Sequence, residues 1–140
     1  MAGSEAATWE LVRSWDLTDR GKLLVFFYAA KRAGVVVPER LVDSMIFLLR
    51  KAGLPFNYLF QYRTLPQSPE LHNDLFILEQ RGEIRHESPF SISALGAKWV
   101  ENDVSSCDGF PTVIDHLTER VAAYRDWDEE QFFAAFYASL

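Results

Sequence analysis

Cysteine is almost absent from this 140-residue sequence, which contains only Cys107. One cysteine cannot form an internal disulfide, a cysteine-based zinc cage or a redox pair. Long apolar runs are also missing, since even Leu23 to Ala30 is far shorter than the roughly 20 residues of a bilayer span. The first residues lack a basic segment followed by an apolar one. We therefore expect a soluble, cytoplasmic protein with no membrane contact.

Basic residues are outnumbered, with 14 Lys and Arg against 20 Asp and Glu and a net charge of -6. This is the wrong sign for a protein that binds nucleic acid mainly through phosphates. The charge is uneven, because residues 1–66 carry a net charge of +3 and residues 67–140 carry -9. Any polyanion should therefore contact the N-terminal half. The acidic half either meets a basic partner or forms a solvated surface.

Signatures of catalysis and metal binding are missing as well. The three histidines, His72, His86 and His116, include no pair at the i, i+4 spacing that puts two ligands on one helix face. There is no glycine-rich phosphate loop, no Gly-x-Ser-x-Gly elbow and no paired catalytic carboxylate. We therefore predict no catalytic, cofactor-binding or metal-binding residues, and we expect a protein that is not an enzyme.

Apolar residues are abundant, at 49% of the chain, and aromatic residues make up 14%. This composition is typical of a folded globular protein, and the length suits one domain with a sizeable core. We find no internal repeat and no long linker. The predicted domain spans residues 1–140, with an N-terminal arm or helix at 1–17, a core at 18–101 and a C-terminal helical extension at 110–140.

The first half of the chain predicts three helices. Apolar spacing indicates a short helix from Ala6 to Ser14, and Thr18 is placed to cap a second helix that ends at Gly34. Pro38 is predicted in the first turn of the next helix, which ends near Gly53. Residues 54–64 are predicted as a loop that enters a short extended segment.

The second half begins with a helix capped by Ser68, with Pro69 in its first turn. Its buried stripe is predicted to be Leu71, Leu75 and Leu78. Two brief extended segments follow at 83–87 and 89–92 and predict a hairpin. Three more helices are predicted, starting after Ser93, at Pro111 and after Asp128.

Within the core at 18–101, three helices followed directly by a hairpin predict a winged helix-turn-helix domain, mainly α with a small β-hairpin and a C-terminal helical extension. The segment Leu65–Leu75, with Leu78 and the exit Gly82–Ile84, resembles the segment after the second helix of the YwgA-like winged-helix proteins and the related Panacea group. Ile92–Gly96 resembles the start of their post-wing helix, and Phe132–Tyr137 is similar to their closing aromatic helix.

This resemblance covers roughly residues 20–140, the length of one domain. The chain departs from the family pattern at Gln67, which replaces the usual proline, and at Pro66, which replaces a glycine. The resemblance implies a winged-helix fold and a role in regulation, in toxin and antitoxin pairs or in phage defence.

In such a fold the third helix of the core, residues 69–81, would enter the major groove and the hairpin would flank it. Three carboxylates, Glu70, Asp74 and Glu79, lie on or beside that face and would repel phosphates. Nucleic-acid binding is therefore predicted to be weak if it occurs. Its candidate residues are Arg63, His72, Asn73, Gln80, Arg81 and Arg85.

The last predicted helix carries two i, i+4 aromatic pairs on neighbouring faces, Phe132 with Phe136 and Phe133 with Tyr137. These four residues and Trp127 are the candidate interface with a protein partner or with a second copy. The alternative is that the helix packs across its own domain, beneath a stripe on the preceding helix formed by Ile114, Leu117 and Val121.

We therefore expect a non-catalytic winged-helix module for protein interaction or regulation, acting as a homodimer or with another protein. The alternative is a sequence-specific DNA-binding transcription regulator. A continuous positive stripe around Arg63, Arg81 and Arg85 would favour this alternative.

Overall fold

The computed structural model describes residues 5–62, 64–87 and 89–140, and most of them lie in helices. The predicted class, mainly α with a small hairpin, is confirmed. The helices are α1 (Glu5–Ser14), α2 (Asp19–Ala33), α3 (Val42–Lys51), α4 (Pro69–Gln80), α5 (Ala94–Trp99), α6 (Phe110–Ala122) and α7 (Glu129–Ala138), with a π-helical turn at Val100–Val104. The strands are β1 (Gln61–Tyr62), β2 (Pro66–Gln67), β3 (Ile84–His86) and β4 (Phe90–Ile92).

Helix α2 lies at the centre of the core. Thr18 caps it as predicted, because its hydroxyl accepts a hydrogen bond from the backbone N–H of Gly21 at 3.2 Å. Gly34 ends it in the left-handed conformation, with φ of 66°. Most of the helix is buried, since it packs on α6, α4, α5 and β4. Elements from both halves of the chain therefore share one core.

Helix α3 begins at Val42, one turn later than predicted. Pro38 precedes it in a turn, where its carbonyl accepts hydrogen bonds from the backbone N–H groups of Leu41 and Val42. The delay has a tertiary cause: Val37 forms an antiparallel bridge with Phe90, so the chain is still extended at this point. The N–H of Phe90 donates to the carbonyl of Val37 at 3.0 Å.

Helix α4 follows the prediction closely. The Ser68 hydroxyl accepts from the N–H of Leu71 at 3.2 Å, and Pro69 occupies the first turn. The three leucines of the predicted stripe are all buried. The helix leads into β3, which pairs with β4 in the register Ile84↔Ile92, Arg85↔Ser91 and His86↔Phe90. With the Val37 bridge, the spatial order is β3, β4, Val37.

The connection between α3 and α4 is more ordered than predicted. Strands β1 and β2 pair in antiparallel fashion, Gln61 with Gln67 and Tyr62 with Pro66. Sequence reasoning indicated one extended segment here but not its partner. The pairing brings Tyr62 against Phe47 on α3, with ring centroids 5.8 Å apart.

Gly96 allows α5 to approach the β3–β4 hairpin closely. A Cβ atom on Gly96 would lie 2.2 Å from the carbonyl oxygen of Glu83 and 2.9 Å from Ile92. After Trp99 the chain continues as the π-helical turn, which keeps Val100 and Val104 buried. Helical structure therefore continues past residue 101, where the predicted core ends.

Helix α7 packs mainly on α3 rather than on the α6 stripe of Ile114, Leu117 and Val121. That stripe faces inward, where α6 packs on α2 and α1. The ring of Phe136 lies 5.2 Å from that of Phe47, which anchors α7 to α3. None of the described helices is both long enough and apolar enough to cross a membrane.

Candidate functional site

Helix α7 begins with a capping box. The carboxylate of Asp128 accepts from the N–H of Gln131, and the Gln131 side chain accepts from the N–H of Asp128, both at 2.9 Å. The cap therefore fixes the residue at which α7 begins.

The two aromatic pairs of α7 have different environments. Phe132 and Phe136 are 0% and 3% exposed, whereas Phe133 and Tyr137 are 41% and 69% exposed. The prediction that Phe132 and Phe136 contact a partner is therefore corrected, because the chain's own core covers them. Trp127 is half-buried and packs on Phe132, with ring centroids 5.0 Å apart. Trp127 therefore contacts the buried side of α7.

The exposed pair, Phe133 and Tyr137, lies close to the β1–β2 hairpin. Tyr62 is 57% exposed and its ring lies 5.7 Å from that of Phe136. Leu65 and Phe133 line one cleft of about 460 Å³. Tyr62, Leu65, Phe133 and Tyr137 together form a surface that we call the aromatic patch. An apolar area of this kind marks an interaction surface more often than isolated exposed residues do.

The rim of the aromatic patch is acidic. Glu129 and Glu130 line the same cleft as Phe133. Glu129 pairs with Arg40 at 3.0 Å, and both groups are largely exposed. Glu130 has no ion pair within the described ranges. The patch therefore offers an apolar centre and one uncompensated negative charge.

The second candidate surface is the outer side of α4, which holds three predicted nucleic-acid contacts. Asn73 and Gln80 are exposed, and His72 is half-exposed. The Nε2 atom of His72 lies 2.6 Å from Oδ1 of the buried Asp43. This hydrogen bond raises the pKa of His72, and partial burial opposes the rise only in part. One edge of the ring is therefore already occupied inside the protein.

Of the three arginines predicted to contact nucleic acid, the structure describes Arg81 and Arg85. The Nε atom of Arg81 lies 2.9 Å from a carboxylate oxygen of the largely buried Glu83. Arg85 is exposed on β3 and forms no ion pair with any described residue. Arg63 lies outside the described residues. Arg85 is therefore the one predicted arginine that is both described and uncompensated.

Sequence reasoning missed Phe76, which is 58% exposed at the middle of α4. The signal was present in the helical spacing. Residue 76 falls outside the stripe of Leu71, Leu75 and Leu78 and lies one turn after His72, on the outer side of the helix. An exposed phenylalanine with Glu70 and Glu79 on the same helix gives this surface an apolar and acidic character.

The loop before β1 is held in place by hydrogen bonds to carboxylates. The Tyr58 hydroxyl donates to Asp74 at 2.7 Å, and the N–H of Leu59 donates to Glu70 at 2.9 Å. The N–H of Asn57 donates to Asp19 at 3.3 Å. Burial raises the pKa of both Tyr58 and Asp19. These contacts hold the loop between α2 and α4 and so position the β1–β2 part of the aromatic patch.

Among the described residues, no group of three or more His, Cys, Asp or Glu side chains is arranged to hold a metal ion. No protein-family model matches the chain, and comparisons with curated proteins and with solved structures found no match.

Proposed function

We propose that this protein is a non-catalytic winged-helix module for interaction or regulation, which acts through protein–protein contact and pairs with a second copy of itself. The exposure of Phe133 and Tyr137 carries the proposal. Both side chains have a large apolar area, and their neighbours Phe132 and Phe136 already satisfy the packing of α7 on its own domain. The outer pair contributes little to the fold and is available for association.

The order of elements supports the winged-helix part of the proposal. Helix α2, the Val37 segment, helices α3 and α4, and the β3–β4 hairpin follow one another along the chain. In the winged-helix arrangement a hairpin closes over the open side of a three-helix core. Strand β4 between β3 and Val37 fits this arrangement, as does the burial of Ile84, Phe90 and Ile92. The resemblance to the YwgA-like and Panacea groups points the same way.

The outward stripe of α7 favours a second copy as the partner. Glu130, Phe133, Ala134 and Tyr137 follow the i, i+3, i+4, i+7 spacing of one helix face, and all are exposed. Ala134 is small enough to let a neighbouring helix approach closely. A two-fold axis would place the same stripe on both sides, as an isologous interface requires.

DNA binding is the second candidate, favoured by one observation. Asn73 and Gln80 on α4 and Arg85 on the hairpin are all exposed, and amide and guanidinium groups are those that read base edges. Protein contact is supported more strongly, because the outer side of α4 carries Phe76 and carboxylates and the paired Arg81 adds little positive charge.

Light scattering tests the proposal. The wild-type chain should have twice its mass of 16.1 kDa, and the Phe133→Asp, Tyr137→Asp variant should be a monomer. The Val36→Asp, Leu95→Asp variant is the matched control, since both residues are exposed and apolar but lie outside the patch. It should remain a dimer.

Circular dichroism shows whether each variant is folded. If the aspartates unfold the chain, Phe133→Ser, Tyr137→Ser provides a milder test. A monomeric wild type contradicts the pairing with a second copy, and a dimer that survives both patch variants places the interface elsewhere.

A further inference from the structure

A second cleft shares no lining residue with the cleft of the aromatic patch. It has a volume of about 450 Å³ and is bounded by the C-terminal part of α2, residues 35–37 and strand β4. This volume falls within the roughly 300–1,000 Å³ of small-molecule sites. We call it the hairpin cleft.

The walls of the hairpin cleft are apolar. Phe27 and Phe90 stand against each other with ring centroids 6.2 Å apart, and Val35 and Ile92 extend the wall on either side. All four side chains are buried, and they belong to elements held by the core and by the Val37 bridge. The wall is therefore preformed, which lowers the entropy cost of binding an apolar group.

Two exposed cations line this cleft, Lys31 from α2 and Arg85 from β3. Neither forms an ion pair with any described residue. The charged groups next to them in sequence are already engaged, since Arg32 pairs with Asp115 at 3.1 Å and His86 with Glu39 at 3.0 Å. The cleft thus combines an apolar wall with two positive charges that the protein leaves uncompensated.

We propose that the hairpin cleft binds a small amphipathic carboxylate. The aliphatic or aromatic body of the ligand lies against Phe27, Phe90 and Ile92. Its carboxylate meets Lys31 and Arg85. A guanidinium group matches a carboxylate with two parallel hydrogen bonds, and the lysine adds a second positive charge. An inorganic anion would leave the apolar wall unfilled, and a neutral ligand would leave the cations unpaired.

Such a ligand would contact both α2 and the β3–β4 hairpin. It would therefore stabilise the position of the hairpin relative to the helices, and the chain would resist unfolding more strongly when it is bound. The site does not depend on the aromatic patch, so it holds whether or not the protein forms a dimer.

Amide NMR spectra of the isotope-labelled full chain test the proposal, with phenylbutanoate as the probe. We expect saturable shifts at Val35, Ser91 and Ile92. Phenylbutanol and sodium sulfate, which lack the charge and the apolar body respectively, should bind much more weakly. Lys31→Gln and Arg85→Gln should each weaken phenylbutanoate binding roughly three- to tenfold, the size of a charge-assisted contact at a partly exposed site.

Arg50→Gln is the matched control, because Arg50 is exposed on α3 and does not line the hairpin cleft. It should leave the affinity unchanged. Three results would overturn the proposal: phenylbutanol or sulfate binding as tightly as phenylbutanoate, shifts confined to the aromatic patch, or no shift at millimolar probe. All three variants change exposed side chains, and their unperturbed spectra away from the cleft will show that they are folded.

Discussion

The Nε2 atom of His72 lies 2.6 Å from Oδ1 of Asp43, and this contact joins α4 to the buried start of α3. The second carboxylate oxygen of Asp43 accepts from the N–H of Ser68 at 2.8 Å. Ser68 in turn caps α4. One buried carboxylate therefore holds both the first turn of α4 and a side chain on its outer surface.

This contact predicts a pH dependence of stability. The pKa of His72 is raised in the folded protein, mainly by its hydrogen bond to Asp43. Its stabilising contribution is therefore fully present below the unfolded pKa of about 6.5 and is lost as the pH rises through the folded value. Thermal unfolding of the wild type and of His72→Gln at a series of pH values measures this. The advantage of the wild type should shrink from acidic to alkaline pH, and a constant difference would contradict the assignment.

Truncation of two neighbouring residues on α4 should change the free energy of unfolding by very different amounts. Leu75 is buried at the centre of the leucine stripe, so Leu75→Ala should lower the free energy of unfolding by roughly 2–5 kcal/mol. Phe76 is exposed, so Phe76→Ala should change it by about 0.5 kcal/mol or less. Denaturant unfolding of both variants provides the comparison. Equal losses would mean that Phe76 packs in the core.

The close approach of α5 to the hairpin should make Gly96→Ala costly. Its new Cβ would meet the carbonyl oxygen of Glu83 at 2.2 Å, which backbone movement alone can relieve. We expect a loss of roughly 1–3 kcal/mol. Gly34→Ala provides the comparison, because its Cβ would meet nothing within 4 Å and only its φ of 66° is unfavourable. That variant should lose about 1 kcal/mol. A Gly96→Ala variant as stable as the wild type would contradict the packing of α5.

The charge distribution around α4 predicts poor binding to DNA. At physiological salt, non-specific duplex should bind no more tightly than about 10 µM, because few phosphates can be neutralised. Fluorescence anisotropy measures this directly. If specific binding is found, Asn73→Ala and Arg81→Ala should remove it while Arg50→Ala preserves it. Tight binding that is independent of sequence would contradict the charge argument.

Local signals account for the parts of the structure that sequence reasoning predicted well. Four helices begin at the predicted cap residues, which are Thr18, Ser68, Ser93 and Asp128. Capping is predictable because the side-chain oxygen accepts a hydrogen bond from a backbone N–H only three residues later in the sequence. The end of α2 at Gly34 and the leucine stripe of α4 likewise depend only on residues that are close to one another in the sequence. These features need no information about the rest of the chain.

Pairings between distant residues were not predictable in this way. Nothing local connects Val37 to Phe90 or His72 to Asp43, since each pair is decided by how the helices pack. The late start of α3 is one consequence of such a pairing.

The aromatic helix separates the two kinds of information most clearly. Sequence spacing alone determined that Phe132 and Phe136 share one face of α7 and that Phe133 and Tyr137 share the next, because the helical period is fixed. Only the tertiary structure decided which face is covered. Helix α7 docks on Phe47 of α3, with Trp127 packed against Phe132, and this leaves the other pair at the surface. The period of a helix is a property of the backbone, whereas its buried side depends on where its neighbours lie.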